Sequence, residues 1–253
     1  MFGFDIVRYP GQETKPEPVV PPAFPKDFNE EEITLIRDVL PYTMTVPERI
    51  HALSQAVKYI SKHNIEGDIV ECGVWRGGSM MAVARTLVSL NDCRRNLYLF
   101  DTFSGMTEPS DKDVDYMGNR AAALLQNDTV KEHDTSIWCY ATIETVREVM
   151  LKTGYDPDKL HFIQGKVEET IPGNAPERIS LLRLDTDWYE STRHELIHLF
   201  PRLSRNGVII IDDYGHWEGA KRAVDEYFSE NNVNILLNRI DYSARIAVKT
   251  EGL

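Results

Sequence analysis

At 253 residues, with 42% hydrophobic and 27% charged side chains, the chain has the make-up of one ordinary globular α/β domain. Its 40 acids against 28 bases leave a net charge of −12, which argues against nucleic acid as a partner, because a phosphate backbone needs a basic face. No apolar run approaches the ~18 residues of a membrane helix, and the opening MFGFDIVRYPG lacks the basic-then-apolar order of a secretory signal, so no membrane partner is expected. Cys72, Cys93 and Cys139 form neither a CxxC pair nor a zinc spacing. An odd thiol count of this kind points to a cytoplasmic, reducing location.

Residues 10–30, PGQETKPEPVVPPAFPKDFNE, are too rich in proline for regular structure, so 1–30 is expected to be an extended arm ahead of one domain over 31–253. A helical cap over 31–66 follows in two pieces. EEITLIRDVL stops at Pro41, and PERIHALSQAVKYISKHN starts on Pro47, a residue suited to the first helical turn. Ile50, Leu53, Val57 and Ile60 give the second piece one apolar face. That helix or the arm is the expected contact of a homodimer.

From residue 68 the pattern changes to short apolar runs: DIVECG (68–73), NLYLFD (96–101), KLHFIQG (159–165), ISLLRLD (179–185) and GVIIIDD (207–213). Helical stretches such as SMMAVARTLVSL, TIETVREVMLKTG and TRHELIHLF lie between them. Continuous apolar strands alternating with helices predict a parallel sheet covered on both faces. NILLN (234–238) and ARIAV (244–248) add a closing antiparallel hairpin, giving seven strands in a mostly parallel sheet. Residues 106–135 hold seven acids and three bases and form too long a connection for a minimal α/β unit; they are expected to be a lid.

The chemistry gathers at strand ends. In VECGVWRGGSM, Gly73, Gly77 and Gly78 allow a sharp turn into a helix whose N-terminal N–H groups face the turn. The spacing GxxxGG is not the GxGxxG of a dinucleotide site. Glu71 would repel a pyrophosphate and welcome an ammonium or sulfonium, and Asp101, closing the second strand, is placed to bind ribose hydroxyls. These features describe a cationic nucleoside without phosphate, and S-adenosylmethionine is such a ligand.

Asp185 ends one strand, and Asp212 with Asp213 ends the next. Each alone could begin a turn, and Asp187 could cap a helix, although Thr192 with Glu195 already reads as a capping box there. Together in one crevice they suggest an oxygen-ligand cation site, and Mg²⁺ suits it. Such an ion gives a reason for the acids: an alcohol near pKa ~15.7 lies about twelve units above a free carboxylate base. Binding the hydroxyl to a divalent cation closes most of that gap, and an adjacent Asp or His216 then takes the proton.

The segments TMTVPERIHAL, GDIVECGVWRGGSMMAVA, DTFSGM, GKVEETIP, LLRLDTDWYEST and GVIIIDDYGHWEGAKRAVDEY closely resemble the TylF/MycF type of macrocin O-methyltransferases. That group includes the enzyme that methylates the noviose sugar of novobiocin. The resemblance spans about 42–229 and implies a class I methyltransferase, Rossmann-like fold, S-adenosylmethionine as donor, Mg²⁺, and a small-molecule acceptor hydroxyl on a sugar or other natural product. By motif it implies Asp185, Asp212 and Asp213 as metal ligands. It implies Glu71, Gly73, Val74, Gly77 and Ser79 at the methionine end, and Asp101, Phe103, Ser104 and Gly105 at the ribose and adenine. Lys166 and Val167 fall near the base, and Met44 and Thr45 in a segment closing over the cofactor. Asp187 or Asp185 is the implied proton acceptor, with His216 third. Two other functions compete: a nicotinamide-dependent oxidoreductase, disfavoured by GxxxGG and Glu71, and a non-catalytic binding protein, disfavoured by the intact acids.

Overall fold

The computed structural model describes residues 24–131 and 133–250. Helix α1 (Glu30–Val39) opens with a capping box. The Asn29 side chain accepts from the Glu32 amide at 3.0 Å, and the Glu32 carboxylate accepts from the Asn29 amide at 3.1 Å. Helix α2 (Pro47–Lys62) starts on its proline as expected. Ile50, Leu53, Val57 and Ile60 are all buried inside the chain, with α2 packed on α3 (Gly78–Ser89). The apolar face expected to serve a homodimer is therefore covered within this chain. The expected arm lies outside the described residues up to 23, but its end is docked: Phe28 is buried and stacks on His51 with centroids 4.2 Å apart.

Strands β1 (Asp68–Cys72), β2 (Leu97–Asp101), β3 (Leu160–Gln164), β4 (Ile179–Leu184) and β5 (Leu203–Ile211) form the parallel part of a seven-stranded sheet. The order is β3-β2-β1-β4-β5-β7-β6, with β7 (Arg245–Val248) antiparallel to β5 and to the two-residue β6 (Asn238–Arg239). Order reverses beside β1, where an α/β sheet opens a crevice at its carboxyl edge. The expected strand over 234–238 is corrected. Ile235 and Leu237 pack against the core from irregular backbone, Leu236 is exposed, and pairing begins only at Asn238.

Alternate strand residues feed two cores. Ile69, Leu97, Leu99, Leu181, Val208 and Ile210 pack with α1, α2, α3 and α5 (Ile143–Leu151) on one face. Val70, Phe100, Leu182, Leu184, Ile209 and Ile211 pack on the other, with α6 (Val167–Thr170), α7 (Tyr189–Leu199) and α8 (Glu218–Glu230). At ~25 cal/mol per Å² of buried apolar surface, this two-sided burial is the main force holding the sheet.

Residues 106–131 and 133–138 form a roof docked on the N-terminal ends of α7 and α8. Short helix α4 (Ala121–Asn127) places Ala121 and Leu125 against Trp188, Trp217 and Ala220 in a small separate core. Asp113 accepts from the Tyr189 amide at 2.7 Å, and Trp188 Nε1 donates to the Thr107 carbonyl at 3.1 Å. Gly219 is required beneath it, because a Cβ there would lie 2.1 Å from the Asp113 carboxylate.

Candidate active site

A cavity of about 500 Å³ opens at the carboxyl edge of β1, β2, β4 and β5. Met44, Thr45, Gly73, Val74, Ser79, Asp101, Gly105, Lys166 and Val167 line it, together with Asp185, Asp187, Asp212, Asp213 and His216. Four expected contacts stand back. Glu71 is buried behind the wall, Gly77 is the N-cap of α3 with φ +88°, Phe103 joins the core, and Ser104 is exposed.

The glycine turn is shaped by the backbone of the next strand. A Cβ on Gly73 would sit 1.9 Å from the Asp185 carbonyl oxygen, so only glycine fits. No side chain caps α3, so its first N–H groups have no side-chain acceptor, and Ser79 of that turn lines the cavity. Asp101 serves this turn directly. It accepts from the Val74 amide at 2.6 Å, the Trp75 amide at 3.0 Å and the Phe103 amide at 2.7 Å. Burial raises its pKa against those three bonds. The acid expected at the ribose is thus also the brace of the turn.

On the face carrying Ile69, Leu181 and Ile210, the last residues turn from apolar to charged: Glu71, Arg183 and Asp212. Register sets Glu71 directly beside Arg183. The Arg183 guanidinium, 3% exposed, donates from Nη1 to Glu71 and to Asp185, and from Nη2 to Asp212, each at 2.6 Å. Arg49 of α2 binds the other Asp212 oxygen through Nη1 and Asp241 through Nε at 2.8 Å. Neither arginine was singled out as a site residue from sequence. Arg183 carried a signal all the same, since a lone guanidinium between buried leucines must find partners.

Asp185, Asp187 and Asp213 form a second group, with one oxygen of each within 4.8 Å of the others. Asp187 adopts a left-handed backbone, φ +65°, and Asp213 keeps a buried oxygen without a hydrogen-bond partner. Burial pushes Asp185 up to about 6 against the pull of Arg183. Burial and then the Asp185 charge push Asp187 to about 7. Asp213 is raised well above the carboxylate range by burial and then by Asp187. Glu71, with Oε2 buried and unpartnered, is pushed by burial to about 8. Of the three acids expected as metal ligands, Asp185 and Asp213 lie in this group, while both oxygens of Asp212 face guanidiniums.

His216 sits on the rim, its Nδ1 3.1 Å from the Tyr242 hydroxyl, with burial lowering its pKa. The expected capping box at Thr192 and Glu195 is corrected. Helix α7 starts at Tyr189, both residues are buried within it, and Glu195 accepts from the Thr186 hydroxyl at 2.9 Å. Burial raises the Glu195 pKa well above its ordinary value, so it suits a neutral acid holding the loop between Asp185 and Asp187.

A reversed-order parallel sheet ending in an antiparallel strand, with a glycine turn and acids at its carboxyl edge, defines a class I S-adenosylmethionine-dependent O-methyltransferase. The macrocin O-methyltransferase (TylF) family model matches residues 24–248, and the chain belongs to that family. It is 32% identical over 200 residues to the 8-demethyl-8-(2,3-dimethoxy-alpha-L-rhamnosyl)-tetracenomycin-C 4'-O-methyltransferase of Streptomyces olivaceus, covering 79% of this chain and 72% of that one. It is 31% identical over 201 residues to the demethyldecarbamoylnovobiocin O-methyltransferase of Streptomyces niveus, with coverage of 79% and 72%. The solved structure of the O-methyltransferase NovP superposes with a TM-score of 0.73 at 28% identity, covering 83% of each chain. Family membership, with the fold, sets aside the oxidoreductase and non-catalytic readings.

Proposed function

We propose that the chain methylates a hydroxyl of a sugar carried by a natural product, in the cytoplasm, with Mg²⁺ held by the acids at the ends of β4 and β5. One observation carries the reading: six carboxylates (Glu71, Asp185, Asp187, Asp212, Asp213, Asp241) meet only two guanidiniums, Arg49 and Arg183. Carboxylates crowded on that scale either keep protons, as the raised Glu71, Asp187 and Asp213 do, or give them up when further positive charge arrives. S-adenosylmethionine brings an ammonium and a sulfonium, and its place is the turn at Gly73 beside Glu71. The buried, partnerless Asp213 oxygen and the oxygen-only donor set fit a hard divalent ion.

Asp185 and Asp213 would hold the ion, with Asp212 the third acid expected from sequence. When bound, Mg²⁺ supplies Lewis acidity that makes an acceptor hydroxyl a far stronger acid. Arg183 fixes Asp185, Glu71 and Asp212 in one plane of charge, so the donor's cationic end and the acids keep their places. Asp187 takes the hydroxyl proton. It lines the cavity and pairs with neither arginine, whereas Asp185 is tied by Arg183. His216, bound to Tyr242 at the rim, holds no position between the acids. The roof residues Thr107 and Ile137 line the cavity and shield part of it from water during the transfer. The sugar acceptor follows the two relatives, whose names specify methylation of a rhamnosyl-tetracenomycin and a novobiocin precursor.

The test is calorimetric titration with S-adenosylmethionine and S-adenosylhomocysteine, with Mg²⁺ and after EDTA, followed by methyl transfer to a panel of glycosides. Micromolar donor binding, and Mg²⁺-dependent transfer that is lost or impaired in Asp213→Ala, are the expected outcome. Transfer unaffected by EDTA would remove the metal from the scheme.

A further inference from the structure

Four separate stretches of chain bring aromatic rings together, and three of the residues, His216, Trp217 and Tyr242, line the cavity. Trp188, after β4, meets Trp217 edge-on with centroids 4.9 Å apart, and Trp217 meets His216 at 4.9 Å. His216 lies 5.4 Å from Tyr116 of the roof and 6.0 Å from Tyr242 of the β6–β7 turn, and the two tyrosines are 5.9 Å apart. Burial grades along the series. Both tryptophans are buried, while Tyr242 is 51% and Tyr116 61% exposed. Neither tyrosine belongs to an apolar core cluster. A rigidly anchored series that ends in two bare rings, of which Tyr242 lines the cavity, suits contact with a ligand.

We propose that Tyr116, His216 and Tyr242 form the platform that seats the acceptor's pyranose ring and so select the acceptor; this rests on the sugar-hydroxyl reading above. The angles give the platform its shape. Tyr116 is tilted 56° to His216 and 64° to Tyr242, and His216 stands 73° to Tyr242. Such rings make a corner, not a parallel slot. A puckered pyranose offers C–H groups to both walls of such a corner at once. The Tyr242 hydroxyl, 3.1 Å from His216 Nδ1, locks two of the walls together. Arg49, 5.7 Å from the Tyr242 centroid, is committed to Asp212 and Asp241 and so backs the platform without offering a free cation to a phosphate. The platform therefore fits an uncharged glycoside.

The probe is methyl α-L-rhamnopyranoside, followed by saturation-transfer NMR on the full chain with S-adenosylhomocysteine and Mg²⁺. Saturation of the ring C–H protons is expected with the unaltered protein, lost in Tyr116→Ala and Tyr242→Ala, and restored in Tyr116→Phe. Calorimetric affinity for S-adenosylhomocysteine stays unchanged throughout, which separates seating of the acceptor from damage to the fold. In turnover, each alanine raises KM for the glycoside roughly tenfold while kcat holds. Alanine variants that seat and methylate the glycoside as the unaltered protein does would overturn the platform alone. Saturation of catechol but not of the glycoside would overturn the choice of ring. No methylation of any pyranoside by the unaltered protein, with donor bound, would overturn the sugar reading itself.

Discussion

The floor and the roof of the cavity are held together by opposite means. The floor, at the ends of β1, β4 and β5, is an array of buried charge in which Arg183 alone serves three carboxylates. The roof is fixed by a small apolar core around Trp188 and Trp217 and by caps such as Asp113. The floor sits on strands whose flanking residues are fully buried, so its geometry is set by the whole domain. Roof geometry depends on a few local contacts. Chemistry belongs on the rigid part and acceptor choice on the replaceable one.

The largest effect is expected from breaking the floor. Arg183→Met leaves Glu71, Asp185 and Asp212 without their shared cation and should cost about 3–5 kcal/mol, read by chemical denaturation. An unchanged midpoint would mean those acids are neutral in the folded protein. Asp213→Asn separates chemistry from stability. It should lower kcat by at least ~10²-fold while raising metal-free stability by about 0.5–2 kcal/mol, because it removes a buried, partnerless oxygen from a repulsive group.

Loosening the roof should do less. Leu125→Ala is expected to cost about 2–3 kcal/mol, and hydrogen exchange should show the loss confined to the roof amides, with β1 and β4 still protected. Loss of protection spreading into the sheet would erase the contrast between the two regions. The smallest effect is the pH dependence of metal binding. Asp185 is raised to about 6 and Asp187 to about 7, so the folded protein holds more protons than the unfolded chain between the ordinary carboxylate range and pH 7. That contribution to stability is full at low pH and lost as pH rises through 6 to 7. Mg²⁺ needs the same acids ionised. The Mg²⁺-induced stabilisation, read as a rise in Tm, should therefore grow from pH 5 to pH 8, reaching about 1.4 kcal/mol at tenfold excess over Kd.

Much of the floor was legible in the sequence, because a continuous apolar strand that ends in an acid reports both burial and edge position. DIVECG, ISLLRLD and GVIIIDD each placed their acid at the right sheet edge. Which way each acid faces was not legible. Asp212 turns to Arg49, a partner 163 positions away, and only the packing of α2 over the sheet brings them together. The reading of Thr192 and Glu195 as a cap failed for a related reason. The spacing was right for a capping box, but burial took Glu195 into the core instead. The hairpin at 234–248 was half legible: β7 pairs as expected, but Ile235 and Leu237 satisfy their burial without joining a ladder.

The contact between Gly73 and the Asp185 carbonyl has an evolutionary consequence. With 1.9 Å between that oxygen and any Cβ at position 73, the turn at Gly73 and the end of β4 cannot accept independent substitutions there. The β6–β7 turn is held to the floor by a contact of the same kind, because a Cβ on Gly215 would lie 2.1 Å from the Tyr242 carbonyl oxygen. The roof is held by Gly219 beneath Asp113, so a new roof or turn must keep those glycines.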